Sequence, residues 1–459
     1  MVAANSITNP QQAVRSKRAE QLLVTVEKFI RSQVVSSIFL VLAAVIAIIW
    51  ANSSAAESYF TLWKTPTLIQ VGNLRLDYTL HEWVNDGLMV LFFLLVGLEI
   101  KREVLVGELS SFKQAALPIC AALGGMIFPA IIFSIFNHNT EAASGWGIPM
   151  ATDIAFALGL LALLGKRIPL SLKIFLTTLA VADDLGGILV IALFYNQSVA
   201  LNNLVVAGLL WLVMFALDRF GLYNGMIFTL LGIGVWLGFV FSGVHATIAG
   251  VLIALAIPSR SLIAPEHFIK TLDKKHHELR DAEFEPRSVI AQEEQKAAVT
   301  ELHHASTNMV PPLLRLEHDL QPWVSFVVLP IFALANAGVA VGSENLLQTL
   351  INPITFGVAG GLILGKQIGI SLFAWLSIKL GIARLPNGVK MSQIYAVSWL
   401  GGIGFTVSLF ITELAFAGNH HLADFAKIGI IGASILAGTV GVGLVYRATT
   451  PPETEATQS

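Results

Sequence analysis

Twelve stretches of this chain are long and apolar enough to cross a bilayer as helices, and that recurrence decides what the chain can fold into. They fall at 33–51, 82–100, 114–136, 149–165, 170–195, 200–217, 223–241, 243–258, 323–341, 355–378, 391–415 and 426–446. A helix rises about 1.5 Å per residue, so about twenty residues cover the roughly 30 Å of hydrocarbon. Hydrophobic residues are 55% of the chain, charged residues 13%, and mean hydropathy is +0.73, which excludes a soluble globular domain. The expected fold class is an all-α polytopic membrane protein with the lipid bilayer as its surroundings. The net charge of −2 names no partner, and no nucleic acid is expected. A single cysteine, Cys120, excludes an intrachain disulfide and a cysteine-based metal site, and no cofactor is expected. The first 30 residues are polar and include Arg15, Lys17, Arg18 and Lys28, so the first apolar run reads as a retained signal anchor.

Cytoplasmic segments collect Lys and Arg. With the N-terminus inside, 24 of the 28 basic residues fall on the cytoplasmic side, and only Lys64, Arg75 and Lys427 fall outside. Lys366 lies within the tenth span. The expected division is a cytoplasmic segment 1–32, spans 1–8 over 33–258, a charged cytoplasmic loop 259–321, spans 9–12 over 322–447 and a cytoplasmic tail 448–459. The loop reads as a solvated, partly helical or disordered linker with six of the eleven histidines. Between spans 1 and 2, Thr67 to Asp77 reads either as a hairpin turning at Gly72-Asn73 or as an irregular loop.

Asp183 and Asp184 stand side by side in the fifth span, and the 22 residues from Ile174 to Tyr195 hold no other charge. A carboxylate near the bilayer midplane costs on the order of 2.5–3.5 kcal/mol on insertion scales. Intramembrane ionisable groups are therefore functional candidates, and the others are Asp86, Glu99 and Glu103 in and after span 2, Asp153 in span 4, His245 in span 8, Lys366 in span 10 and Glu413 in span 11. This mainly acidic set favours a cation. Adjacent helical residues point about 100° apart, so the two aspartates should have different partners. A buried lysine without an acid tends to lose its proton, so Lys366 is expected to pair with one of them, with Asp183 the proposed partner.

Two spans carry signals for a break. Pro149 precedes Ala151-Thr152-Asp153, and the eleventh span contains Gly401-Gly402-Ile403-Gly404. Unwound backbone at that depth must line a cavity or be buried in protein, and such breaks at matching places in two halves point to a transporter site. Spans 3–5 and 10–12 run in opposite senses as trios, which gives inverted-topology repeats with two interrupted, crossing helices. At the crossing, Asp153 is expected to compensate the helix N-termini and Lys366 the C-termini.

The strings HEWVNDGLMVLFFLLVGLEIKRE (from His81), GIPMATDIAFALG (from Gly147), AVADDLGGI (from Ala180), SGVHATIAG (from Ser242), LEHDLQPWVSFVVLPIFALANAGV (from Leu316) and GGIGFTVSLFI (from Gly401) resemble the NhaA family of sodium/proton antiporters, over nearly the whole chain from about residue 30 to 447. The resemblance implies pH-regulated exchange of cytoplasmic Na+ or Li+ for external H+ across a bacterial inner membrane. It assigns Asp183 and Asp184 to the ion and proton site, and Thr152, Asp153 and Lys366 to the helix crossing. It places Glu99, Glu103, Glu317 and His318 at a pH-sensing cytoplasmic mouth, assigns His245 to pH response, and with the hairpin it suggests a homodimer. For His245 a packed, hydrogen-bonded role stands beside that reading. Gln321, where the family pattern has a second histidine, and the long preceding loop depart from the family and bear on the pH profile. Another cation/proton exchanger, a symporter, a channel and an intramembrane aspartyl hydrolase are the rival readings. The hydrolase would set its carboxylates on separate, facing spans, whereas these are adjacent on one.

Overall fold

The computed structural model describes residues 33–72, 74–196, 199–281, 293–340 and 351–449. The expected N-terminal segment 1–32, the turn residue Asn73, part of the 259–321 loop and most of the tail lie outside the described residues. Among those described, the architecture is helical apart from one two-stranded hairpin. In chain order the helices are α1 (Gln33–Ala51), α2 (Ala56–Lys64), α3 (Met89–Val106), α4 (Phe112–Asn137), α5 (Ile154–Leu163), α6 (Leu170–Phe194), α7 (Leu201–Arg219), α8 (Gly225–Val240) and α9 (Thr247–Ala256). They continue as α10 (Pro265–Asp281), α11 (Glu293–Met309), α12 (Pro312–Trp323), α13 (Leu329–Asn336), α14 (Pro353–Gly360), α15 (Lys366–Lys379), α16 (Met391–Gly401), α17 (Phe405–Ala415) and α18 (His420–Ala448).

Among the described residues eight helical stretches are long and apolar enough to cross a membrane, and α16 with α17, bent by 48° at their break, makes a ninth. The other three apolar runs form α3 with the turns before it and the shorter helices α8 and α9. In hydrocarbon each backbone group must find its partner within the protein, which is why continuous apolar runs become helices. Their ends are marked by side chains that accept from the first free N–H groups. Asn224 caps α8 through Met226 and Ile227, and Asn352 caps α14 through Ile354 at 2.8 Å.

Three π-helical turns, Trp83–Leu88, Val324–Val328 and Gly361–Gly365, interrupt this regular winding. Apolar periodicity does not separate them from α-helix, so the sequence reading passed over them. The third lies directly before Lys366 and is pressed against two prolines. A Cβ on Gly365 would fall 2.7 Å from the Pro129 backbone, and one on Gly361 2.6 Å from the Pro149 ring.

A close helix crossing in the core joins α4 to α15. A Cβ on Gly124 would lie 2.2 Å from the Gly369 carbonyl oxygen, and one on Gly369 would lie 2.0 Å from that of Gly124. Backbone therefore meets backbone there, as small residues allow in membrane bundles.

Between α2 and α3, β1 (Pro66–Val71) pairs antiparallel with β2 (Leu74–Thr79), and Val71 opposite Leu74 leaves a two-residue turn. Gly72 has φ +61°, which glycine adopts without strain. Of the two readings of this connection, the hairpin is the one observed. The 259–321 stretch contains α10 and α11, which pack on each other and are joined by a 2.8 Å Lys275–Glu301 ion pair. The Lys275 ammonium beside Glu301 holds its carboxyl below the usual glutamate range, and so exposed a pair adds little stability.

The glycine crossing predicts that Gly124→Ala, which must displace backbone, costs about 1–3 kcal/mol. Gly208→Ala on α7 meets open space and should be neutral or stabilising by up to about 1 kcal/mol. Melting temperatures of the two purified variants in one detergent check this, and equal values would contradict the packing.

Candidate functional site at two facing helix breaks

The fourth span, expected at 149–165, begins earlier: a 3-10 stretch, Glu141–Met150, is followed by extended residues 151–153 and then α5. The eleventh is interrupted at residues 402–404 between α16 and α17. The glycines there serve close approach, because a Cβ on Gly402 would fall 2.5 Å from the Leu362 carbonyl oxygen.

The two breaks satisfy each other. The Asp153 N–H donates to the Ile403 carbonyl at 2.6 Å, the Thr152 hydroxyl to the Gly401 carbonyl at 2.8 Å, and the Ser408 hydroxyl to the Ile148 carbonyl at 2.7 Å. The Asp153 carboxylate accepts from the Phe156 N–H at 2.9 Å on Oδ1, and from the Thr406 N–H at 3.0 Å and hydroxyl at 2.6 Å on Oδ2. It therefore sits between the N-termini of α5 and α17, where a negative charge is favoured. Thr406 was not singled out in the sequence. A hydroxyl residue two positions beyond the last glycine of the break was the available signal.

Lys366 is fully buried, and its Nζ donates to Asp183 Oδ2 at 2.5 Å and to Thr152 Oγ1 at 3.0 Å. Lys366 was expected to compensate helix C-termini at the crossing. Its hydrogen bonds go to side chains, and it reaches the end of α16 only through the Thr152 hydroxyl, which passes a hydrogen bond on to Gly401. Such relays strengthen one another in a low-dielectric interior.

Asp183 and Asp184 are both buried on α6, and only Asp183 reaches the lysine. Oδ1 of each has no hydrogen-bond partner among the described residues. Burying a carboxylate oxygen without a partner is costly, and the usual remedies are a proton or a cation. The nearby acids whose charges act on Asp184 are Asp183, Glu99 and Asp153.

A cleft of about 500 Å³ lies on the Thr177 and Thr178 side of the pair, with Glu103, Glu108, Gln114 and Lys173 on its walls. Thr177 and Thr178 are within about 11 Å of Asp184 along α6, from the helical rise. Beside it, Arg102 joins Glu317 at 3.1 Å and Glu103 at 3.3 Å, and half-buried Glu99 is near all three. His318 stands apart from this cluster, exposed and 3.4 Å from Asp319.

Two candidates lie elsewhere. The His245 Nε2 contacts the carbonyl of Tyr195 at the opposite end of α6, so it is packed and hydrogen-bonded. Asp86 sits in the π turn before α3, where its own carbonyl accepts from Trp236 at 2.8 Å. Its carboxylate lies near Glu82 and Tyr78, and burial, with these two charges, pushes the Tyr78 phenol up from its ordinary pKa. A buried ion pair between Glu413 and Lys427, at 2.7 Å, was also missed, because Lys427 was counted with the loops.

This arrangement, two broken helices around buried carboxylates and one lysine, is that of an ion-transporting membrane protein. The sequence matches the family described as Na+/H+ antiporter 1 over residues 27–445, and the chain belongs to that family of exchangers. A Na(+)/H(+) antiporter NhaA of Sulfurimonas denitrificans is 46% identical over 92% of this chain and 95% of its own. The NhaA 2 antiporter of Syntrophotalea carbinolica is 47% identical over 92% and 96%, and that of Koribacter versatilis is 44% identical over 98% of each.

Lys366→Ala strands the Asp183 carboxylate and is expected to cost about 3–5 kcal/mol. Adding Asp183→Asn should recover part of that loss. Thermal melts of both variants decide it, and an unchanged melting temperature in Lys366→Ala would reject a structural role for the pair.

Proposed function

We propose that this protein exchanges cytoplasmic Na+ or Li+ for external H+ by alternating access, at a site built from Asp183 and Asp184. The observation that carries the reading is the pair of buried carboxylate oxygens without protein partners, one on an aspartate already neutralised by Lys366 and one on its neighbour. A hard cation such as Na+ binds oxygen ligands that carry charge. An ionised carboxylate supplies both, and a protonated one has lost the charge. Binding either ion therefore expels the other, and that competition couples the two flows. Asp183 is held by Lys366, so Asp184 is the more direct Na+ ligand. The reading includes twelve spans, with spans 3–5 and 10–12 as inverted repeats that carry the breaks and the others as a supporting panel. It also includes placement in a bacterial inner membrane with both ends cytoplasmic, the charged segment 259–321 as a cytoplasmic loop, and a homodimer joined through the hairpin.

The cluster of Glu99, Glu103 and Glu317 around Arg102 lines the cytoplasmic mouth and sets the pH threshold in this reading. His318, facing Asp319, adds only indirectly. Glu317→Gln should move the activation curve along the pH axis with little change in maximal rate. Loss of transport at every pH would place Glu317 in the ion path.

The direct test of the exchange is Na+-dependent pH change in everted vesicles between about pH 6.5 and 8.5, the range in which a cytoplasmic sensor works. If one proton leaves for each Na+ bound, apparent Na+ affinity rises about tenfold per pH unit until the site is deprotonated. The adjacent acids titrate as a coupled pair, so only the pair's behaviour is read. Asp184→Asn should abolish both Na+ binding by calorimetry and exchange in protein that folds and inserts. Affinity independent of pH, or normal exchange by the variant, would refute the shared site.

A further inference from the structure

One face of α17 runs from the helix break toward the hairpin end of the molecule. Thr406, Phe410 and Glu413 follow at i, i+4 and i+7, the spacing of a single helical stripe. Thr406 holds Asp153, as described. Phe410, fully buried, lies between Phe93 of α3 and Phe332 of α13, with ring centroids 5.2 and 6.4 Å away. Glu413 stands about 4.5 Å further along the helix. Its Oε1 is 2.7 Å from Lys427 of α18, and its Oε2 is 3.8 Å from Nε2 of His81.

The seat beneath Glu413 is itself fixed. Asn336 donates through Nδ2 to the Phe332 carbonyl and to Asn85 Oδ1, both at 3.0 Å, which turns its Oδ1 toward His81. His81 Nε2, 2.9 Å from that oxygen, must then carry the ring proton. Phe93, Phe332, His81, Asn85 and Asn336 belong to elements that carry no break, whereas Phe410, Glu413 and Lys427 belong to helices beside the site. The contact is thus a seam between two groups of helices. At the end opposite the Thr177 cleft it stacks two layers, the rings of Phe410, Phe93 and Phe332 and, beyond them, Glu413 facing His81 across 3.8 Å.

We propose that Phe410 and Glu413 form the gate on the hairpin side and part from the Phe93, Phe332 and His81 seat when the aspartates face that side. This rests on the alternating-access reading above, because an exchanger that serves both sides must open where it is now shut. Glu413 selects the closed position through its charge beside His81, and Phe410 excludes water and ions.

The test places cysteines at His81 and Glu413 in a Cys120→Ser background and bridges them with a short, reducible bifunctional thiol reagent. Na+-dependent proton flux in everted vesicles is read before bridging, after it and after reduction. The proposal expects flux that stops on bridging and returns on reduction, and flux that persists through complete bridging overturns it. Exchange by Cys120→Ser alone tests the functional reading separately. A second measurement does not need exchange. Phe410→Cys, which itself thins the aromatic layer, should be labelled by a membrane-impermeant thiol reagent applied from the hairpin side, and severalfold faster when Glu413→Gln is added. If the added substitution leaves the labelling rate unchanged, or if neither protein is labelled until denatured, the gate is refuted.

Discussion

Unwound backbone in a water-free interior is tolerated only if its polar groups find partners, and in this protein they find them on one another. The two breaks are only partly self-sufficient: the Gly402 and Ile403 N–H groups bond back to the Trp399 and Leu400 carbonyls, but the Asp153 N–H and the Ile403 carbonyl bond across the crossing. Set face to face, they exchange the Asp153–Ile403, Thr152–Gly401 and Ile148–Ser408 hydrogen bonds. The charged residues of the site follow from that pairing. Two helix N-termini meet at one point and are met by Asp153. The Thr152 hydroxyl, fixed by Gly401, is left able to accept from Lys366, and Lys366 in turn needs an acid and holds Asp183. Removing any one of these leaves a buried charge or dipole unmatched.

The contrast between Asp183 and Asp184 arises from helix geometry. Consecutive residues diverge by about 100°, so one lysine cannot serve both. Asp183 is therefore committed to Lys366, while Asp184 beside it is buried without that partner. In the proposed exchange a single apolar helix would thus supply a structural acid and an ion-binding acid in adjacent positions.

The sequence made the spans readable because apolar length leaves little choice in a bilayer, and the two breaks readable because Pro149 and the glycines at 401, 402 and 404 stand where hydrophobic continuity would otherwise predict a straight helix. Lys366 could be matched to the aspartate pair because it was the single basic residue deep in a span. Asp183 was the partner proposed for it, although adjacency fixes the divergence of the two acids and not the direction of the partner helix. The π turns, the Thr406 contact and the Glu413–Lys427 pair escaped for a shared reason: each depends on how two distant segments approach, and none alters the apolar pattern of its own segment. The helices α10 and α11 were likewise hidden in a charged stretch whose composition suits either a helical hairpin or a solvated linker, and the hairpin at Gly72 was one of two equal readings.

The contact between Gly124 and Gly369 bears on which parts of the molecule can move. Main chains in direct contact have no intervening side chains to rotate, and a slide of about one residue would drive a bulkier neighbour into the opposite carbonyl. In the proposed cycle α4 and α15 would therefore move together, and Lys366, three positions before Gly369, would be carried with them. The Phe410 seam has the opposite character, because large aromatic side chains can change rotamer and repack. Displacement in such a cycle would be steered away from the glycine crossing and toward aromatic boundaries, so that small residues set the axis about which large ones rearrange.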